Sequence, residues 1–230
     1  MDRNKNFSGA SLPVPPKKYF DVDNLSLPTH RYPRNSRTPA MRPHLELFQG
    51  LNVEPLLQQL DAHPELWDEI TVRQAYPGSA HADTQCIFVR GPLGFTPELY
   101  FNDLGSVDFS AQQVLTRAMP LVEFACAQIG ASQLGRVLIV NLKPGGHVMP
   151  HIDEGKYADH FARFHIVLTT NRHCTNTTGG ETKHWRSGSL WWFDHKQMHT
   201  ADNDGATDRV HLIFDAVSPA FRVGGDSLSS

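Results

Sequence analysis

The chain lacks the features that mark secreted, membrane-spanning and nucleic-acid-binding proteins. Its three cysteines are an odd number and lie far apart without a C-x-x-C pair, so we expect no disulfide framework. No apolar run approaches the length of a membrane span, and the first residues hold no apolar segment of the kind found in secretory leaders. The formal net charge of −3 gives no electrostatic basis for nucleic-acid binding. These absences predict a soluble, cytoplasmic protein without a nucleic-acid or membrane partner.

What is present predicts one folded domain preceded by an arm. The 230 residues, 40% of them hydrophobic and 20% charged, suffice for one domain with a sizeable core. Residues 1–43 are rich in Pro, Ser, Asn and Arg, and such a segment buries too little apolar surface to offset its ordering entropy. We therefore predict an extended or disordered arm over residues 1–43 and a domain over residues 44–230.

Hydrophobic periodicity divides the domain into a largely helical first part and a β-rich second part. Helices are predicted over residues 51–60, 64–70 and 110–129, the last with Ser110 as its N-cap and Gly130 as its stop. Strands are predicted over residues 85–90, 137–142, 164–170, 182–185, 189–193 and 210–217. This order predicts a mainly β fold with supporting helices, in which a small barrel or double sheet carries helices on one side.

Nine of the thirteen histidines lie between His147 and His211, and two of them fit a metal site. His151 and Asp153 are two residues apart, so on a strand or at its fraying end both side chains point the same way. His199 would come from a distant strand that the barrel brings opposite. Two imidazoles and one carboxylate form the set that suits non-haem Fe(II) oxygen chemistry. We therefore predict that His151, Asp153 and His199 are metal ligands and form the catalytic centre.

An H-x-D pair is weak evidence by itself. His81-Ala82-Asp83 has the same spacing, and a surface loop is the simpler interpretation of that copy. Four further histidines fall in predicted loops and are expected to be solvated: His160, His173, His184 and His195.

Two arginines downstream give the second H-x-D pair its context. Arg209 opens a predicted strand on which Arg209, His211 and Ile213 face one way. A charge that points into a barrel needs an opposite charge, and the far carboxylate of 2-oxoglutarate would supply it to a guanidinium. The same alternation places Arg163 and His165 on one face of their strand, towards the cosubstrate or the substrate. The alternative for Arg163 is a surface ion pair.

Five elements follow one another between about Val137 and Pro219. They are K-P-G-G-H-V-M-P-H ending at residue 151, R-F-H at 163–165, W-R-S-G from 185, F-D-H-K-Q-M-H ending at 199, and R-V-H-L-I-F-D from 209. In this order the stretch resembles the aspartyl/asparaginyl β-hydroxylase family of Fe(II)/2-oxoglutarate-dependent dioxygenases, which have the double-stranded β-helix (jelly-roll, cupin-like) fold. The resemblance implies that His151 and His199 bind Fe(II), that Arg209 holds the 5-carboxylate of 2-oxoglutarate, and that Arg163 and His165 assist cosubstrate binding.

Asp153 is a departure within this resemblance. The animal members have glycine where this chain has the carboxylate, whereas bacterial relatives that hydroxylate free proline retain the full triad. Metal binding is therefore better supported than the transfer of the animal enzymes' substrate. The retained carboxylate also argues against halogenation, which needs that position open for halide.

The resemblance implies a hydroxylase that converts 2-oxoglutarate and O2 to succinate and CO2 while it hydroxylates an unactivated carbon. The substrate would be an Asp- or Asn-type residue in a peptide or protein, or a free or carrier-bound amino acid. Candidate substrate-binding residues are Arg90, Asn141, His147 and Trp185. Two alternatives stay open, a non-catalytic cupin-like protein that binds metal or ligand without need of Arg209, and a zinc hydrolase that uses the same triad.

Overall fold

The computed structural model describes residues 42–221, so nearly all of the arm expected over residues 1–43 lies outside the described residues. In chain order the elements are β1 (His44–Gln49), α1 (Glu54–Ala62), α2 (Val72–Ala75), β2 (Thr84–Gly91), α3 (Pro97–Asn102), β3 (Val107–Asp108), α4 (Ala111–Val114), α5 (Ala118–Ile129), β4 (Gln133–Leu142), β5 (His147–His151), α6 (Lys156–His160), β6 (Ala162–Thr169), β7 (Cys174–Thr178), β8 (Glu181–Lys183), β9 (Ser189–Phe193), β10 (His199–Asn203) and β11 (Arg209–Val217).

Two antiparallel sheets are built from these strands. The larger sheet has the order β1-β9-β6-β11-β4-β2-β3, and the smaller has the order β5-β10-β7-β8. From β4 onward the chain passes repeatedly from one sheet to the other, with β4, β6, β9 and β11 in the larger sheet and β5, β7, β8 and β10 in the smaller. This alternation is the winding of a double-stranded β-helix, so the predicted fold class is confirmed.

Alternate residues of β11 separate the core from the space between the sheets. Leu212 and Phe214 are fully buried in the main hydrophobic cluster, which also contains residues of α1 and α5. Arg209 and Ile213 point the other way and line a cleft together with residues of the smaller sheet. The predicted alternation along this strand is therefore confirmed, with one face for packing and the other for chemistry.

The predicted strands are confirmed to within a few residues, but two helix predictions are wrong. The helix expected over residues 110–129 is interrupted after α4 and resumes as α5. Pro120 accounts for the break, because its ring clashes with the carbonyl of Thr116 and is tolerated only near a helix start. Gly130 does end α5, with a left-handed φ of 62°. Residues 64–70 form only a short 3₁₀ turn, Pro64–Leu66.

The three cysteines, Cys86, Cys126 and Cys174, are free. No helix within residues 42–221 has both the length and the apolar character needed to cross a membrane.

Candidate metal centre

The three predicted ligands come together at the end of the smaller sheet. In the β5–β10 pair, His151 lies directly opposite His199. Asp153 follows two residues after His151, beyond the end of β5. One nitrogen or oxygen atom from each of the three residues lies within 4.8 Å of the others. The cross-strand pairing therefore brings together two side chains that are far apart in sequence.

Backbone carbonyls orient both imidazoles. His151 Nδ1 lies 2.8 Å from the carbonyl oxygen of Met149, and His199 Nδ1 lies 3.0 Å from that of Gln197. A carbonyl only accepts, so each Nδ1 carries the proton and each Nε2 keeps its lone pair. Burial lowers the pKa of His199 to about 4, which keeps it neutral. Both rings are therefore prepared to bind a metal through Nε2.

The carboxylate of Asp153 is held by an arginine. Arg163 Nη1 donates to Asp153 Oδ2 at 2.5 Å, and its Nε donates to Asp215 Oδ1 at 2.8 Å. Burial alone would raise the pKa of Asp153, but the positive charge of Arg163 and the neighbouring histidines together outweigh burial and hold the pKa well below its usual range. Oδ1 lies 3.5 Å from His151 Nε2, on the side of the two imidazoles. Asp153 is therefore ionised, with one oxygen anchored and the other directed to the site.

These three side chains fit a divalent metal ion. Two neutral imidazole nitrogens and one carboxylate oxygen are the donor set that non-haem Fe(II) enzymes use. His151 Nε2 is buried without a hydrogen-bond partner among the described residues, which is costly unless a ligand such as a metal occupies that direction.

Arg209 is a second unsatisfied group between the sheets. It is only 4% exposed, and its Nη2 donates to Asn176 Oδ1. Its Nε has no partner, and no carboxylate within residues 42–221 forms an ion pair with it. Burial lowers the pKa of Arg209 to about 10, so the side chain stays charged at neutral pH. A buried cation without a counter-ion is a place for an anionic ligand.

His151, His199 and Arg209 line one cleft. Its volume is about 520 Å³, including the part that is open to solvent. The lining residues include three arginines and four histidines but no aspartate or glutamate. The cleft is therefore electropositive and suits anionic small molecules.

His165 and Trp185 form one wall of this cleft. His165 Nδ1 lies 3.1 Å from His211 Nδ1, so one of these nitrogens donates to the other. Burial, reinforced by the charge of Arg209, holds the pKa of His165 well below its usual range. Trp185 is 2% exposed and stacks on Trp191 with ring centroids 5.1 Å apart. The wall thus combines a neutral imidazole with a rigid aromatic face.

Arg90, a predicted substrate contact, is engaged elsewhere. Its Nη1 donates to Asp108 Oδ1 at 2.5 Å, its Nε donates to the carbonyl oxygen of Gly135, and its Nη2 donates to that of Ser106. These bonds tie β2 to β3 and β4. Arg90 does not line the cleft.

Of the other three predicted substrate contacts, only Trp185 lines the cleft. Asn141 Nδ2 donates to Asp208 at 2.7 Å. The exposed His147 bonds to Asp202 at 2.8 Å, and that hydrogen bond raises the pKa of His147. Asn141 therefore ties β4 to Asp208 just before β11, and His147 joins β5 to β10. Both lie outside the cleft lining.

Sequence reasoning missed His81. Its ring meets that of His151 edge to face, with centroids 4.7 Å apart, and it lines the cleft. The interpretation of His81-Ala82-Asp83 as a plain surface loop is therefore wrong for the histidine. The repeated H-x-D spacing drew attention to His81, but only the folded chain shows that its ring contacts that of His151.

Sequence reasoning also missed Asn176 and Arg73, which both line the cleft.

One of the four histidines expected to be solvated is buried. His195 is 3% exposed, and its Nε2 lies 2.8 Å from the carbonyl oxygen of Ala158. Its own carbonyl accepts from the backbone N–H of Asp153 at 3.1 Å. His195 therefore helps to place the third metal ligand. The other three histidines of that group are exposed, as expected: His160, His173 and His184.

Comparison with known proteins gives a family match over this part of the chain. The model of the family described as "Aspartyl/Asparaginyl beta-hydroxylase" matches residues 98–219. That range contains all three metal ligands and Arg209. It does not contain Arg73 or His81.

One curated relative is similar to part of the chain. L-proline cis-4-hydroxylase of Rhizobium meliloti (strain 1021) is 31% identical over 108 residues, which are 46% of this chain and 39% of that protein. The match thus spans about two fifths of that relative's length.

Two prolyl hydroxylase structures cover more of the chain at lower identity. A Pseudomonas putida prolyl-4-hydroxylase has a TM-score of 0.47 at 14% identity, over 81% of this chain and 95% of the other. The viral collagen prolyl hydroxylase of Paramecium Bursaria Chlorella virus-1 has a TM-score of 0.47 at 11% identity, over 76% and 97%. Structural similarity at this level carries no inference about activity.

Proposed function

Since the chain belongs to the aspartyl/asparaginyl β-hydroxylase family, we propose that it is an Fe(II)- and 2-oxoglutarate-dependent dioxygenase that hydroxylates an amino-acid substrate. The reaction consumes O2 and 2-oxoglutarate, releases succinate and CO2, and adds a hydroxyl group to an unactivated carbon. The substrate is an Asp- or Asn-type residue in a peptide or protein, or a free or carrier-bound amino acid.

The burial of Arg209 in this cleft without a counter-ion is the observation that best supports this proposal. A protein that only bound a metal would have no use for a buried, unpaired guanidinium in the same cleft. Such a group costs folding free energy unless a ligand neutralises it. The 5-carboxylate of 2-oxoglutarate is of the right charge, and a guanidinium grips a carboxylate through two parallel hydrogen bonds.

In this proposal His151, Asp153 and His199 hold the metal, and their neighbours keep them in place. Bound Fe(II) and 2-oxoglutarate would activate O2, which is the oxidant, for attack on a C–H bond. Arg163 keeps Asp153 ionised and anchored. Its Nε and Nη2 donate to Asp215, so we assign Arg163 first to positioning the metal ligand. Arg163 also lines the cleft and keeps one unused N–H on each Nη for the cosubstrate contact that the sequence suggested.

His165 keeps its predicted role as a cosubstrate contact. It lines the cleft, and its Nε2 is buried without a partner among the described residues. His211 fixes the ring through the Nδ1–Nδ1 hydrogen bond. The apolar wall formed by Trp185, Phe193 and Ile213 limits the access of water to the cleft.

The test is formation of succinate by the full chain. The protein is purified without metal, supplied with Fe(II), ascorbate, O2 and 2-oxoglutarate, and assayed for succinate with and without candidate amino acids and peptides. We expect succinate in every sample that contains Fe(II) and O2, and more of it with a substrate. A chain that binds Fe(II) but makes no succinate would be a non-catalytic cupin-like protein. Turnover of a hydrolysable substrate without O2 would indicate a hydrolase.

A further inference from the structure

Arg73 is a third arginine of the cleft, and no role above uses it. It lies on α2, ahead of the range that matches the family, and its side chain lines the same cleft as His151 and Arg209. Its one side-chain hydrogen bond runs from Nη1 to Thr84 Oγ1 at 3.1 Å. No carboxylate in the part of the chain that the structure describes forms an ion pair with it.

The segment that carries Arg73 is fastened to the strand of the metal ligand. Thr84, which is buried, accepts from Arg73 and donates its hydroxyl proton to the carbonyl oxygen of His81 at 2.8 Å. The backbone N–H of Met149 on β5 donates to the carbonyl oxygen of Ala80 at 2.9 Å. Arg73 is therefore held at a fixed place relative to His151 rather than swinging free in solvent.

Of the three arginines that line the cleft, Arg73 is the one that remains for an additional anion. Arg163 is neutralised by Asp153 and Asp215. Arg209 is the proposed partner of the cosubstrate's carboxylate. Since the lining holds no acidic side chain, Arg73 has no counter-charge within the cleft. A planar guanidinium with most of its donors unused matches a second carboxylate.

His81 adds a polar group beside this guanidinium. Its ring touches that of His151, and its Nδ1 is buried without a hydrogen-bond partner among residues 42–221. Since His81 and Arg73 line the same cleft, this nitrogen is available to donate to or accept from a ligand bound there.

We propose that Arg73, with His81 beside it, binds a carboxylate of the amino-acid substrate and so selects what is hydroxylated. This inference rests on the proposed function. The carboxylate is either the α-carboxylate of a free amino acid or the side-chain carboxylate of an aspartate in a peptide. Substrate recognition thus comes from a segment outside the family match, whereas metal and cosubstrate binding come from within it.

The experiment compares substrates with and without the carboxylate. The panel contains the standard free L-amino acids, each with its α-carboxamide, and an Asp-containing peptide with blocked termini, with its Asn counterpart. Full-length wild type, Arg73→Gln, Arg73→Lys and Arg117→Gln are loaded with Fe(II) and 2-oxoglutarate. Arg117 is exposed at the start of α5 and serves as the control for the loss of one positive charge. Added oxygen is measured by mass spectrometry, and circular dichroism checks folding.

We expect hydroxylation of at least one acid and not of its amide counterpart. Hydroxylation of a free amino acid would identify the α-carboxylate as the bound group, and hydroxylation of the Asp-containing peptide would identify the side-chain carboxylate. Arg73→Gln raises the KM for that acid by roughly 10- to 100-fold, because a charge-assisted hydrogen bond is lost. The KM for 2-oxoglutarate changes far less. Arg73→Lys keeps the positive charge but cannot form two parallel hydrogen bonds, so its KM for the acid should lie between those of wild type and Arg73→Gln. Calorimetric titration of the same acid into protein loaded with Zn(II) and 2-oxoglutarate shows the same order of affinities.

Several results would overturn the assignment. These are an amide hydroxylated as well as its acid, an unchanged substrate KM in Arg73→Gln, a rise in the KM for 2-oxoglutarate instead, or no panel member hydroxylated by a wild type that does convert 2-oxoglutarate. A wild type that converts no 2-oxoglutarate fails the proposed function, and calorimetry then decides about Arg73. Binding of an acid that is lost in Arg73→Gln but kept in Arg117→Gln supports the carboxylate site, and equal or absent binding in wild type and variant rejects it.

Discussion

Two backbone carbonyls determine the tautomer and ring orientation of the two candidate histidine ligands. The sequence predicted His151, Asp153 and His199 from residue type and order, because H-x-D spacing puts two donors on one face of a strand. It could not predict that the carbonyls of Met149 and Gln197 would each hold an Nδ1 proton. Tautomer and ring orientation depend on where local backbone atoms lie, and only the folded chain fixes that.

His199→Ala tests the triad. Removal of one of three ligands should lower Fe(II)-dependent succinate formation by more than about 100-fold, since even supporting residues of metal sites cost 10- to 100-fold when replaced. Metal content after gel filtration should fall in parallel, while circular dichroism stays native. His173→Ala changes an exposed histidine and is the control. Wild-type turnover in His199→Ala would rule out this site.

Arg209→Ala separates the cosubstrate from the metal. Loss of the guanidinium should raise the KM for 2-oxoglutarate by roughly 10- to 100-fold, because a charge-assisted interaction in a buried site is removed. Iron binding should change little, since Arg209 contacts none of the ligands directly. Initial rates over a range of 2-oxoglutarate concentrations, with metal content measured in the same samples, check both statements. An unchanged cosubstrate dependence would contradict the assigned role.

At the level of elements, apolar patterns were predictable and polar strands were not. The strands at residues 137–142, 189–193 and 210–217 were found because Val, Ile, Leu and aromatic residues mark them. β7, with the sequence C-T-N-T-T, carries no such signal. It exists because its Asn176 is buried to meet Arg209 and because β10 pairs with it along its whole length. These causes are long-range, so the local sequence does not reveal them.

Asp215→Asn tests how β6 and β11 cooperate in holding the metal ligand. Asp215 lies opposite Arg163 in the strand pair and is 1% exposed. Its replacement removes the buried negative charge that pairs with the partly buried Arg163 and should lower the free energy of unfolding by about 3 kcal/mol. The same change in the exposed pair of Arg90, Asp108→Asn, should cost about 1 kcal/mol or less. Urea unfolding of both variants gives the comparison. Equal losses would show that burial does not decide the strength of these pairs.

At the level of the whole molecule, the site depends on both sheets and on the segment before the family match. The sequence predicted the β-helix and its metal site because the strand order and the motifs agree. It did not predict that residue 73, to which no element was assigned, and residue 81, which was interpreted as part of a surface loop, would reach the cleft. That contribution depends on how α2 and the turn before β2 fold back onto β5.

Arg209→Met should show what the site costs the whole fold. The substitution removes an uncompensated buried cation and keeps much of its apolar volume, so the Tm of the protein without cosubstrate should rise by a few degrees. Added 2-oxoglutarate should raise the Tm of metal-loaded wild type, because a ligand stabilises the state that binds it, and should raise that of the variant much less. Differential scanning fluorimetry measures all four conditions. A lower Tm in the variant without cosubstrate would mean that Arg209 is already satisfied within the protein.

Two hydrogen bonds between the sheets have a consequence for how this protein can diversify. Arg163 reaches from the larger sheet to Asp153, and Asn176 reaches from the smaller sheet to Arg209. Because both hydrogen bonds link the two sides of the sandwich, a shift of one sheet against the other would disturb the proposed metal site and the proposed cosubstrate site together. Residues 72–84 take part in neither bond. The substrate preference that we assign to Arg73 can therefore change through substitutions in that segment that leave both hydrogen bonds intact.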